Sequence, residues 1–285
     1  MRSLFVSDLD GTLLTNAGTL SEFTRRTLEE LIDEGMLFTV ASARHVISIR
    51  NVFRGLKLPL PVVDVNGSFL SDLETGRHEF VHSIERGLAE AIYRLLPGFG
   101  CVPFVATFNG HEDRVYYSRI INGGMAWFLE DRRAARDERL RYTDDLARSL
   151  DEEVICLTII GERDRMAEVE RAIRDTAGGE VVTHYFENAY SPGWYWVTVH
   201  DRRATKDQAI KALMERYGLA GAELVVFGDQ ENDVGMFEVA DRAIAVANAA
   251  EEIKMRATAV IGSNEEDSVA GYLLAQWRSR GDWAV

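Results

Sequence analysis

The chain has 285 residues, 46% of them hydrophobic and 27% charged, which suits one large domain or two and excludes both wholesale disorder and a disulfide-stapled miniprotein. Its 46 acidic residues outweigh 32 basic ones for a net charge of −14, a field that repels phosphodiester backbones with no long basic stripe to offset it. Cys101 and Cys156 lack a C-x-x-C pairing, and no run approaches the roughly 18 apolar residues of a membrane span. No nucleic-acid or membrane partner is therefore expected. The first apolar run meets Asp8 and Asp10 before a signal-peptide core can form, so a cytoplasmic location is expected too.

In chain order, short runs rich in Val, Leu and Phe alternate with helical patterns: Ser3–Leu9, a helix Ser21–Glu34, Met36–Ala41, a helix after Arg44, then Val62–Val65. Such alternation predicts β-α-β units and a parallel sheet. Ser21 is placed as the N-cap of the first helix and Gly35 as its stop. Ser68–Ser71 and His78–Val81, flanking Glu74-Thr75-Gly76, read as a β-hairpin.

From residue 83 to 199 the pattern mixes helices (Ile84–Leu96, Glu162–Thr176) with alternating strands (Cys101–Phe108, Arg114–Tyr117, Val154–Ile160, Val181–Tyr185, Trp194–Val199). Glu130–Asp145 reads as a solvated helix or loop, and Trp194-Tyr195-Trp196 as core. From Thr205 the β/α alternation returns through Leu224–Phe227, Ala243–Val246 and Ala259–Ile261 to a terminal helix after Asn264. The expectation is a Rossmann-like α/β core, 1–82 with 200–285, interrupted by an α+β insert, 83–199.

Ligands of parallel α/β sheets bind outside the carboxyl ends of the strands, and four such ends carry chemistry here. Asp8-Leu9-Asp10-Gly11-Thr12 follows the first strand; the i, i+2 spacing sends two carboxylates to one face, which need a cation or a proton between them. A tight Asp-Gly turn is the rival; a calcium loop is not matched, since the twelfth position from Asp8 is Thr19. Ser42, in Ala41-Ser42-Ala43-Arg44, leaves its strand where a helix begins and serves equally as an N-cap or a phosphate donor. Lys206 opens a helix, where a lysine is ordinarily solvated. Gly228-Asp229-Gln230-Glu231-Asn232-Asp233 ends an apolar strand in more acid than helix capping needs.

The order of acidic pair, hydroxyl, lysine and acidic cluster is what magnesium-assisted phosphoryl transfer requires. D-L-D-G-T-L-L, the Ser of A-S-A-R, Lys206 and G-D-Q-E-N-D resemble the four motifs of the haloacid dehalogenase superfamily of phosphatases. Asn66-Gly67, A-I-A-V-A-N-A (243–249) and G-S-N-E-E-D-S-V (262–269) are similar to its Cof-type branch, which carries a large α/β cap between the second and third motifs.

The resemblance implies Asp8 as the nucleophile that takes the phosphoryl group and Asp10 as the acid and base. Leu9, Ser42, Ala43 and Lys206 are implied as phosphate-binding groups, and Asp8, Asp10 (through its backbone carbonyl), Asp229 and Asp233 as the Mg2+ site. Gly11, Thr12, Arg44, Asn66, Gly67, Gly228 and Asn232 are implied in support. Ser42-Ala43-Arg44 stands where the family commonly shows T-G-R, and Lys206-Asp207 where it shows K-G; the second departure sets a negative charge beside the phosphate lysine. A phosphomonoesterase for small phosphorylated metabolites such as sugar phosphates is expected. A phosphomutase, or a phospho-switch or binding module on the same fold, is the alternative. Neither the physiological substrate nor the oligomeric state is legible.

Overall fold

The opening apolar run forms β1 (Ser3–Ser7), every residue of which is buried. In the computed structural model, which describes residues 2–188 and 190–281, it is the fourth of five parallel strands. α1 (Glu22–Asp33) follows, with Ser21 Oγ accepting from the Thr24 N–H at 2.9 Å as its N-cap. β2 (Leu37–Val40), α2 (Val46–Phe53), β3 (Val62–Asp64), β4 (Phe69–Ser71) and β5 (His78–Val81) complete the amino-terminal part. β3, β4 and β5 pair antiparallel as a small sheet of their own, and Ala41 bridges Val63 in parallel.

The chain then leaves for a second unit. That unit comprises α3 (Arg86–Leu95), β6 (Phe104–Phe108), β7 (Asp113–Tyr117), α4 (Gly123–Ala134), β8 (Leu140–Tyr142), β9 (Glu153–Gly161), α5 (Arg163–Ala177), β10 (Val181–Glu187) and β11 (Tyr195–Asp201). Its strands lie in the order β10-β11-β9-β6-β7-β8, antiparallel except β7 with β8. Leu157 and Ile159 on β9 face Ile92 of α3 and Val169 of α5, while Ile160 and Trp196 pack with Met125 and Phe128 of α4. The aromatic triplet is thus partly core. The Glu130–Asp145 segment, expected as a solvated helix or loop, holds the end of α4 and the strand β8; the start of α4 escapes the periodicity because it opens on Gly123-Gly124, two poor helix formers, and the Asn122 side chain caps it by accepting from the Met125 N–H at 2.8 Å.

The first unit resumes with α6 (Lys206–Arg216), β12 (Glu223–Gly228), α7 (Val234–Val239), β13 (Arg242–Ala245), α8 (Glu251–Arg256), β14 (Ala259–Val260) and α9 (Ser268–Gly281). Strand order is β14-β13-β12-β1-β2, with Ser7 opposite both Val40 and Phe227 and Gly228 opposite Ala245. Its core gathers Leu4, Phe5 and Val6 with Phe38, Val225, Phe227 and Ile244, all nearly or fully buried. The two units run to Val81 and from Thr205, and from His82 to Ala204. The expected second crossing at 200 falls inside β11, whose pairing continues to Asp201 opposite Val181.

Buried His200 on β11 sets its Nε2 3.6 Å from Cys156 Sγ. Burial first, then neighbouring His184, pushes its imidazole down to about 3. An unfolded histidine titrates near 6.5, so below that pH the unfolded chain binds the extra proton and the folded state loses stability progressively toward pH 3. His200→Gln is expected to flatten the fall of Tm with pH between neutrality and about pH 4. Calorimetry showing the same slope for both proteins contradicts this.

Candidate active site

Parallel register brings the ends of β1, β2, β12 and β13 to one edge of the sheet. Asp8 follows β1 directly, and its N–H still donates to Phe227 O at 2.9 Å, which holds it against the end of β12. One residue beyond Gly228, which ends β12, comes Asp229; Asp233 lies in the short turn after it, and Lys206 is the first residue of α6. The Lys206 ammonium donates to Asp8 Oδ1 and to Asp233 Oδ1, each at 2.6 Å. All four side chains are almost fully removed from water. Lys206 is therefore not a solvated surface lysine; it is the ion-pair partner of acids found 198 residues before it and 27 after.

One oxygen from each of Asp8, Asp229 and Asp233 lies within 4.8 Å of the others, a set fit to hold a metal ion. Asp233 Oδ2 also accepts from the N–H groups of Asp229 (2.8 Å) and Gln230 (3.1 Å), while Asp229 Oδ1 accepts from Thr12 Oγ1 at 2.9 Å. Burial raises the Asp8 carboxyl well above the usual range; Lys206 works against this, and the charges of Asp233 and Asp229 add to it. Burial and Asp233 push Asp229 up to about 6. The Lys206 ammonium loses from burial but gains more from Asp233 and Asp8, so its pKa is raised and it stays cationic. With all three carboxylates ionised, one ammonium leaves two negative charges in excess, which a hard divalent cation with a preference for oxygen would offset.

The Asp10 carboxylate does not join this cluster. β1 ends at Ser7, so the alternation that aligned Asp8 with Asp10 in the sequence no longer applies; residues Leu9–Leu13 form a tight turn instead. The Asp10 carboxylate is gripped by Arg44 through both oxygens, Nε to Oδ2 at 2.7 Å and Nη2 to Oδ1 at 2.6 Å. Each acid of the pair thus has its own cation. Gly11 (φ 79°) makes the turn possible, and a Cβ there would lie 2.4 Å from Asp229 Oδ2.

Ser42 is buried after β2, with its Oγ accepting from the Arg44 N–H at 3.1 Å, and Ala43 sits between them. The Ser42 carbonyl accepts from Asn66 N–H at 2.9 Å, and Asn66 Oδ1 accepts from Asn232 at 3.1 Å. Val65, Asn66 and Gly67 all have positive φ (49°, 56° and 98°), and the β-branched Val65 is strained there. The Gly67 backbone approaches Thr205 so closely that a Cβ would lie 2.3 Å from its carbonyl oxygen. This loop therefore joins the segments bearing Ser42, Asn232 and Lys206.

Asp207 does not crowd the Lys206 ammonium. Its carboxylate faces Gln208 Nε2 at 2.9 Å and Lys211 Nζ at 3.5 Å, away from the buried Lys206 ammonium. Two further residues at this edge have no expected role in the motifs. Asn248, after β13, donates to Gly11 O at 2.7 Å, and Asn264 donates to Leu14 O at 2.9 Å. Both lie in the two later Cof-type segments, which marked a resemblance without saying what the side chains hold.

The family model for haloacid dehalogenase-like hydrolases matches residues 5–273. The chain is 24% identical over 274 residues to the 5-amino-6-(5-phospho-D-ribitylamino)uracil phosphatase YitU of Bacillus subtilis, covering 95% of this chain and 96% of that one. It is 24% identical to the pyridoxal phosphate phosphatase YbhA of Escherichia coli, over 93% of this chain and 95% of the relative. The crystal structure of TM0651 from Thermotoga maritima shares the fold, with a TM-score of 0.77, 24% identity and 97% of each chain covered. The acids, hydroxyl and lysine at one sheet edge and the family match across almost the whole chain agree: this protein belongs to the haloacid dehalogenase-like hydrolases and is an enzyme of their Cof-type phosphatase branch.

Proposed function

We propose that the protein is a Mg2+-dependent phosphomonoesterase that hydrolyses small phosphorylated metabolites through a phosphoryl ester on Asp8. The observation that carries this reading is the buried set of Asp8, Asp229 and Asp233 with Lys206 between two of them. One oxygen of the Asp8 carboxylate attacks phosphorus as the bond to the leaving alcohol breaks, while Lys206 holds the carboxylate through Oδ1. Asp10 gives the leaving oxygen its proton and later takes one from the water that releases phosphate. Ser42 Oγ and the N–H groups of Leu9 and Ala43 hold the phosphoryl oxygens, and Lys206 offsets the charge of an incoming dianion.

Asp8, Asp229 and Asp233 would hold Mg2+, which when bound neutralises charge on the phosphoryl group. Arg44 adds a gate. Its guanidinium holds both Asp10 oxygens, so a substrate dianion that draws Arg44 toward itself frees Asp10 to exchange protons. Relatives named as phosphatases of a ribityl-uracil phosphate and of pyridoxal phosphate favour a small organic phosphate, and a sugar phosphate belongs to the same class.

Phosphate release from p-nitrophenyl phosphate tests the reading. Treatment with EDTA is expected to reduce turnover by at least about 100-fold, with restoration by Mg2+. Full activity in the metal-stripped protein sinks the metal-dependent mechanism.

A further inference from the structure

The chemistry above leaves Asn248 without a role, yet its amide is used at both ends. Nδ2 donates to Gly11 O at 2.7 Å, and Oδ1 accepts from the Asn264 N–H at 3.0 Å. Asn264 in turn donates through Nδ2 to Leu14 O at 2.9 Å and to Asn16 Oδ1 at 3.1 Å. The two asparagines thereby grip the tight turn after Asp8 at Gly11 and at Leu14. The turn itself closes with the Leu14 N–H on Leu9 O at 2.9 Å.

On its other side, Gly11 lies against Asp229, where a Cβ would come within 2.4 Å of Oδ2. The segment that carries Asn248 also reaches the Asp229 backbone, because the Ala250 N–H donates to Asp229 O at 2.9 Å. One short segment therefore touches both sides of the site: the turn that follows Asp8 and the backbone of Asp229. Asn248 is exposed whereas Asn264 is buried. An exposed amide adds little to global stability, so its effect is local, on where the Gly11 peptide sits.

We propose that Asn248 is a positioning residue: by holding the Gly11 carbonyl it fixes the turn bearing Asp8 and Asp10 relative to Asp229. The inference rests on the hydrolase reading above. An ångström of slack in such a turn costs up to about 100-fold in rate, because proton transfer and in-line attack depend steeply on geometry. Substrate affinity, set by Ser42 and Lys206, stays as it was.

Two variants test this. Asn248→Ala removes the amide; Asn248→Asp keeps an acceptor for the Asn264 N–H but turns a second oxygen toward Gly11 O. Both are expected to lower kcat for p-nitrophenyl phosphate by about tenfold or more, leave KM within about twofold, and keep the folded fraction unchanged by circular dichroism at the assay temperature. An undiminished kcat in either variant overturns the proposal, as does a loss of kcat that merely follows loss of folded protein. A wild-type protein inactive with Mg2+ would remove the hydrolase reading and this role with it. An active wild type with fully active variants removes the role of Asn248 alone.

Discussion

Asp8→Asn is expected to lower phosphate release by at least about 10⁴-fold, the scale seen when a covalent nucleophile is removed. The substitution is nearly isosteric, and the amide oxygen still accepts from Lys206, whose ammonium lies 2.6 Å from Asp8 Oδ1. What disappears is the anionic oxygen that attacks phosphorus. Stability moves the other way. Asp8 is buried beside Asp229 and Asp233, and its carboxyl is raised by that burial and by their charges, so a neutral side chain relieves part of the excess negative charge. In metal-free buffer the variant should therefore melt no lower than the wild type, and activity lost without stability lost is the signature of a chemical role. Turnover at the wild-type rate would remove Asp8 from the mechanism.

Lys206→Met is expected to fail in both respects. The ammonium is 1% exposed and pairs with two carboxylates that are 8% and 0% exposed, so the variant strands two buried acids without their cation. Breaking a buried pair from one side costs about 3–5 kcal/mol, or roughly 10 °C in Tm for a domain of this size. Activity should fall as well, since the same ammonium offsets the charge of a phosphate dianion. Lys206→Arg keeps the charge, so it should recover part of the stability, but a planar fork does not fit a slot built for a point charge between two carboxylates and turnover should stay low. A Lys206→Met protein as stable as wild type in metal-free buffer would show that the acids do not depend on this lysine.

How far the sequence can be read follows from what is local. β1, α1 and β2 were legible because their apolar spacing and the Ser21 cap are properties of adjacent residues, and Ser21 indeed caps α1. That Ser21 Oγ also donates to Asp267 Oδ1 at 2.6 Å, across 246 positions, has no local signal. The site divides in the same way. Asp8, Ser42, Lys206 and Asp229 follow strands or open a helix, and parallel register brings such ends together without any need to know which side chain meets which.

Partners were harder to read than positions. Asp10 looked like a companion of Asp8 because strand alternation was carried past Ser7, where the chain in fact turns, and its true partner is Arg44. Asp207 looked like a neighbour of the phosphate because it adjoins Lys206 in sequence; on a helix, successive residues point apart, and it faces Lys211 one turn on. Asn248 and Asn264 were illegible for another reason: their hydrogen bonds end on backbone carbonyls of Gly11 and Leu14, and a carbonyl leaves no mark on residue identity.

The central claim is that Asp8 carries the phosphoryl group during turnover. Mixing enzyme with excess substrate, quenching in acid within the first turnovers and mapping peptides by mass spectrometry tests it directly. The account predicts the added mass of one phosphoryl group on the peptide containing Asp8, lost on treatment with hydroxylamine and absent from Asp8→Asn. Steady hydrolysis with that peptide unmodified at every quench time, or with the label on another residue, would contradict it.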